Sequence, residues 1–236
     1  MTDLARGFFV CGFGDAATGI GGLAWDFGEP GALLLGDGEV RSATFALEEG
    51  GAAATLELTA GDATVEATMS PRTAELPLGD GLTVLVCLAD VSPKGSQAIR
   101  CAGQISRWGA DPLEGAGTFR HLAIDAGEEA LLIAESRGEP GGDHGEERST
   151  AWLIRGEDES RFEDTFISTQ YDGGGDPTRF GLELWPEEAE RASRAAATRV
   201  AASSLGGVAL GNAWAGLFRC HTDGTEGIGS HLIWRA

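Results

Sequence analysis

The residues of this chain best suited to moving a proton gather at its end. His221 and His231 flank a turn that carries Asp223 and Glu226, within Phe218-Arg-Cys-His-Thr-Asp-Gly-Thr-Glu-Gly-Ile-Gly-Ser-His-Leu-Ile-Trp234. Antiparallel pairing across that turn could set the two imidazoles opposite each other with a carboxylate nearby, as an acid/base pair or a metal site. In that reading Asp223 and Glu226 are the candidate catalytic acids, His221 and His231 are their partners, and Arg107 is an electrostatic support. The plainer reading is that alternation sends Ser230 and His231 to opposite faces, and that these are ordinary hairpin histidines. His121, on a strand-like run, and His144, in the acidic loop 141–147, complete no ligand set. Asp143, Glu146 and Glu147 lack the ligand spacing of a calcium loop.

Other chemistries leave no signature. The chain has no Gly-x-Ser-x-Gly elbow, P-loop, His-Glu-x-x-His or EF-hand loop. Gly12-Phe-Gly-Asp-Ala-Ala-Thr-Gly19 looks like a phosphate loop, but it has no Lys and no βαβ unit follows, so it reads as a hairpin turn. Cys11, Cys87, Cys101 and Cys220 have no CxxC spacing and sit beside apolar residues, which predicts buried free thiols in a reducing compartment. No cofactor or metal is expected, and any chemistry should be proton-driven and insensitive to chelators.

The elements that must position these residues are strands. Short extended runs are separated by Gly, Pro, Asp and Ser: Gly7–Phe13, Gly22–Phe27, Ala32–Leu35, Ser42–Glu48, Ala53–Thr59, Thr64–Ser70 and Leu82–Asp90 in the first half. The second half predicts Thr118–Asp125, Ala130–Ser136, Ser149–Arg155, Arg161–Gln170, Gly181–Trp185, Ala213–His221 and Gly229–Arg235. Alternation is plain where Thr55, Glu57 and Thr59 face one way and Leu56, Leu58 and Ala60 the other. One segment resists this pattern: Pro186–Ser203 combines an early Pro, acidic residues in its first turn and many Ala and Arg, which is good helix chemistry. Its counterpart around Phe45–Leu58 reads as a hairpin, so helix and hairpin both stay open for 186–203.

Charge narrows the partners. With 17 Lys and Arg against 37 Asp and Glu in 236 residues, the net charge is −20. Such a surface repels phosphate backbones and anionic membranes, which excludes nucleic acid as a partner. The N-terminal residues lack a leader pattern and no apolar run reaches the length of a membrane span, so a cytoplasmic location is expected. A composition shift at 108–117 divides the chain into N-terminal and C-terminal β units, 1–112 and 113–236. Oligomeric state leaves no mark.

Internal similarity is the most specific signal. Phe9-Val-Cys-Gly-Phe-Gly-Asp-Ala-Ala-Thr-Gly-Ile-Gly-Gly-Leu-Ala-Trp25 repeats the design of the terminal hairpin: Cys, an Asp-containing turn, Gly-Ile-Gly, then a strand closing on Trp. Two such hairpins predict duplication of a barrel-like unit. These hairpins, with Phe119-Arg-His-Leu-Ala-Ile-Asp-Ala-Gly-Glu-Glu-Ala-Leu-Leu-Ile-Ala134, resemble the double lipocalin-like β-barrel group that includes carotenoid 1,2-hydratase (hydroxyneurosporene synthase) and tocopherol-cyclase-like proteins. Members of that group usually carry a Trp- and His-containing stretch near the domain junction. Here Cys101-Ala-Gly-Gln-Ile-Ser-Arg-Trp108 has Arg107 and Trp108 but neither His nor acid.

The resemblance implies an all-β fold: two lipocalin-like antiparallel β-barrel or β-sandwich units from an internal duplication, with at most one short helix. Barrels of this kind hold apolar molecules. Trp108, Trp185, Trp25 and Trp234 are therefore the candidate ligand-binding residues. The expected function is binding of an apolar or amphipathic small molecule of isoprenoid, polyketide or lipid type, with cofactor-free, proton-driven hydration or cyclisation. The alternative is a non-catalytic carrier or interaction module.

Overall fold

A computed structural model describes residues 8–50, 53–79, 81–93, 97–125, 130–141, 146–156, 158–163, 165–185, 192–204, 213–222 and 224–235, without the side chains of 49, 50, 79, 125, 130–135 and 201–204. Every regular element among them is a strand, and none is a helix able to cross a membrane. The chain divides into two compact units, Met1–Pro112 and Leu113–Ala236.

Unit 1 contains β1 (Phe8–Asp15), β2 (Ile20–Asp26), β3 (Pro30–Gly36), β4 (Glu39–Gly50), β5 (Ala53–Ala60), β6 (Ala63–Pro71), β7 (Leu76–Gly79), β8 (Leu82–Pro93) and β9 (Ile99–Trp108). The strand order is β6-β5-β4-β3-β2-β1-β9-β8-β7, and β6 also pairs with β8. That last pairing closes eight strands into a barrel and leaves β7 as an appendage. A ring of eight strands encloses a space just wide enough for side chains to fill or for one small ligand to occupy. Phe9, Cys11, Phe13, Leu56, Leu58 and Met69 are among the residues that fill it. Packing is tight enough that a Cβ on Gly22 would sit 2.5 Å from both Phe13 and Leu58. Glycine there lets the aromatic ring lie against backbone. On β5 burial alternates as the sequence predicts, with Leu56 and Leu58 buried and Glu57 exposed. On β1, β2, β8 and β9 the outward residues Val10, Leu23, Val84 and Trp108 are buried as well. This accounts for the unbroken apolar runs there.

Unit 2 contains β10 (Thr118–Asp125), β11 (Ala130–Gly138), β12 (Arg148–Arg155), β13 (Asp158–Phe162), β14 (Thr165–Tyr171), β15 (Pro177–Leu184), β16 (Ser193–Ser204), β17 (Trp214–Thr222) and β18 (Thr225–Arg235). The order is β13-β12-β11-β10-β18-β17-β16-β15-β14, with no ladder joining the two edges among the described residues. The Ser149 hydroxyl donates to the Thr165 carbonyl at 2.6 Å, so a side chain of β12 reaches β14 where a strand pairing is missing. In each unit the first strand pairs with the last, β1 with β9 and β10 with β18.

Three expectations are corrected. The run 161–170 is not one strand: it breaks at Glu163, and the chain passes from β13 on one edge of the sheet to β14 on the other. The helix alternative fails for 193–203, which is β16; residues 186–191 lie outside the described set. Pairing of β16 with both β15 and β17, and burial of Ala195 and Ala197, outweigh local helix propensity. Val200, at the register shift, is 39% exposed. Finally, 99–108 is a full strand, β9, where the sequence pattern predicts none.

Candidate functional site

The inward face of unit 2 is set by parity. Leu122 and Ile124 of β10 belong to its core cluster. Arg120 and Thr118 follow on the same face, two and four residues before Leu122. On β18 the register sets His231 opposite Leu122, Ile233 opposite Arg120 and Arg235 opposite Thr118. Ser136 of β11 lies opposite Arg120 on the other side. The unit therefore carries a stripe of polar side chains inside an otherwise apolar interior of Ile167, Phe180, Trp214 and Phe218.

Arg120 is 2% exposed. Its Nη1 donates to Glu147 Oε2 at 2.8 Å and to the Ile167 carbonyl at 3.2 Å, and Ser136 Oγ lies 3.3 Å from the same carboxylate oxygen. The Arg120 Nε is buried without a partner among the described residues. Thr118, Arg120, Glu146, Glu147, Tyr171 and Arg235 contribute to the wall of a pocket of about 450 Å³. In that wall Arg235 donates to the Tyr171 hydroxyl, with its guanidinium 4.5 Å from the centre of the Tyr171 ring.

His231 is fully buried, 4.8 Å from Phe180 and 6.0 Å from Phe218 between ring centres. Neither of its ring nitrogens has a hydrogen-bond partner among the described residues. Burial, then the charge of Arg120, then His121 hold its pKa well below the ordinary histidine value. His121, on the opposite face of β10, is pushed down by burial to about 3. At neutral pH His231 is therefore a neutral imidazole, with one N–H to give and one lone pair to receive. It can polarise a carbonyl by hydrogen bonding, but it cannot serve as a resident imidazolium acid.

The structure separates the residues that the sequence grouped. His221 pairs with Glu226 across the hairpin, and both are exposed on the outward face. His231, which this register sends to the other face, lies opposite Gly216 and points inward. Asp223 lies outside the described residues. Arg107 belongs to unit 1, half-buried at the end of β9 and 3.8 Å from Glu75; burial lowers its pKa. Trp25 packs over Gly31, where a Cβ would sit 2.5 Å from the indole, and Trp108 lies 5.5 Å from Phe27. Trp185 is 45% exposed, and Trp234 is on the outward side of β18 with its Nε1 buried and unpartnered. None of the four tryptophans lines the pocket of unit 2.

The sequence does not single out Arg120, Tyr171 or Arg235, and it raises Glu147 only as a calcium ligand that the loop spacing does not support. The available signal was parity: in Arg120-His-Leu-Ala-Ile124 a charge shares the face of two large aliphatics. Among the described residues no three His, Cys, Asp or Glu side chains are grouped to hold a metal ion. All four cysteines are buried, and burial keeps two of them as unreactive thiols, Cys87 being pushed up to about 12 and Cys11 raised further by burial and by Cys87.

No protein-family model matches the chain, and no curated protein matches it significantly in sequence. Solved structures do match. Kievitone hydratase from Nectria haematococca superposes with a TM-score of 0.65 at 12% identity, over 98% of this chain and 89% of its own. CghA, solved with Sch210972, gives 0.61 at 10% identity, over 97% and 88%. A candidate AttH from Nitrosomonas europaea gives 0.63 at 12% identity, over 97% and 92%. Each likeness spans both units, and at these identities it speaks for the fold: the chain has the duplicated lipocalin-like β-barrel architecture that its hairpins resemble.

Proposed function

We propose that unit 2 binds an amphipathic small molecule, with its apolar body against Leu122, Phe180, Trp214 and Phe218 and its polar end among Arg120, Glu147, Tyr171 and Arg235. Within this arrangement the neutral His231 hydrogen-bonds a carbonyl or hydroxyl of the ligand. The observation that carries the reading is the pair of buried, unpartnered nitrogens on His231. An unsatisfied buried polar group costs roughly 1–3 kcal/mol, and a ligand oxygen at that point recovers it. The catalytic form of the reading is cofactor-free hydration or cyclisation. His231 would draw electron density from a conjugated carbonyl, and the shape of the interior would fold the substrate. The kievitone hydratase name agrees with hydration of an apolar substrate.

A carrier without chemistry is the second reading. It is favoured by the commitment of the Glu147 carboxylate to Arg120 and Ser136, which keeps that carboxylate from acting as a base. Both readings are tested with β-ionone, a small apolar enone, and the wild-type protein. His231→Phe should weaken its binding by about tenfold, the loss of one net hydrogen bond. Unchanged affinity would remove His231 from the site. Incorporation of ¹⁸O from labelled water at the enone β-carbon marks hydration, whereas binding without incorporation marks a carrier for this probe.

A further inference from the structure

Arg235 is half-buried in the pocket wall of a protein with net charge −20, and among the described residues no carboxylate lies within ion-pair distance of it. Its recorded partners are the hydroxyl and ring of Tyr171. Other arginines behave differently: Arg41, Arg100, Arg148, Arg194 and Arg199 each have an acid within reach. With acids outnumbering bases more than two to one, this partly desolvated guanidinium still has no described carboxylate paired with it. One diagonal step away on the same inward face, Arg120 keeps a buried Nε with no acceptor.

Among the described residues, no acid near the pocket pairs with Arg235. Glu147 is bound by Arg120 and Ser136, Glu139 pairs with Arg148 at 3.5 Å, and Glu146 is exposed.

We infer that the polar end of the ligand is a carboxylate, held by the Arg235 guanidinium and by Arg120 Nε, so that unit 2 takes amphipathic carboxylic acids. Arginine suits this role because its planar donors match the two oxygens of a carboxylate. Tyr171 accepts from Arg235, which leaves its own phenolic proton to be donated to the ligand. The apolar tail then runs from the pocket towards Phe180 and Phe218. The inference rests on the binding proposed above and adds the charge of the ligand head.

The experiment compares cis-parinaric acid with its methyl ester by fluorescence titration of the full chain. The acid should bind the wild type at least tenfold more tightly than the ester. Arg235→Gln should abolish that preference and leave ester binding in place, while Arg235→Lys should retain part of it. Should Arg235→Gln lose the native circular dichroism spectrum, Tyr171→Phe replaces it, with a severalfold loss for the acid alone expected. Equal binding of acid and ester to the wild type overturns the carboxylate assignment and leaves amphipathic binding standing. A preference for the acid that survives Arg235→Gln, or Tyr171→Phe where that variant is used, also overturns it. Failure of both probes to bind overturns the underlying reading as well.

Discussion

Unit 1 and unit 2 are both antiparallel meanders whose last strand returns to the first, yet their interiors are of opposite kinds. Unit 1 closes through β6 and β8, and its interior cluster is aliphatic and aromatic, with thiols and a thioether. Cys11 Sγ there contacts Met69 Sδ at 3.3 Å. Unit 2 leaves β13 and β14 unpaired with each other and lines one side of its interior with Arg120, Ser136, His231 and the nearby Glu147. One scaffold thus serves as a filled support, and the same scaffold, unclosed, can hold buried charge and a pocket. A polar stripe inside a barrel destabilises it unless it is paired, and in unit 2 the pairing is incomplete at His231 and at Arg120 Nε. That deficit distinguishes a site from a core.

The contrast can be broken most forcefully at Glu147. Glu147→Ala leaves a buried guanidinium without its carboxylate and should destabilise unit 2 by about 3–5 kcal/mol. Urea unfolding followed by segment-resolved hydrogen exchange would show the loss. Combining it with Arg120→Met should restore most of the stability, and a cost below about 1 kcal/mol for the single change would mean that the stripe is already solvated. In unit 1, Leu58→Ala should cost about 3 kcal/mol by cavity formation. It should leave parinaric acid binding unchanged, and a parallel loss of binding would show that the units are not divided in role.

Acid should sharpen the comparison further, because all four histidines lie in unit 2. The folded pKa values of His121 and His231 lie below the ordinary value of 6.5, that of His121 at about 3. Below pH 6.5 the unfolded chain therefore binds protons that the folded unit refuses. Stability present above that pH is lost as pH falls towards 3, by up to about 1.4 kcal/mol per histidine per pH unit. Unit 1 has no histidine and should lack this slope. Equal acid sensitivity of the two units in hydrogen exchange would locate the titration elsewhere.

Much of the architecture was legible because strand alternation and turn residues are local properties. Leu56, Glu57 and Leu58 declare a sheet with one wet face without reference to any other strand. The terminal hairpin was legible as a hairpin, but not as a site, because pairing alone does not say which parity faces inward. His221 and His231 are ten residues apart, so a turn with an odd number of residues would bring them to one face, whereas the observed pairing of Thr222 with Thr225 sends them to opposite faces. Arg120 and Arg235 are 115 positions apart in the chain. Only the return of β18 to β10 makes them neighbours, and that is a property of the whole meander. The Ala-rich segment misled in the other direction: its composition suits a helix, but β15 and β17 supply ladders on both sides that composition cannot see.

The unjoined edge of unit 2 has a consequence for how the molecule tolerates change. Around a closed ring the offsets between neighbouring strands must add up to a fixed total, so a one-residue slip at any seam of unit 1 has to be cancelled at another. An open sheet has no such sum rule. Insertions or deletions next to β13 or β14 alter one edge and leave the rest in place. Length variation among descendants of such a chain should therefore accumulate beside the pocket, in the part of the wall where a changed loop would alter what is bound.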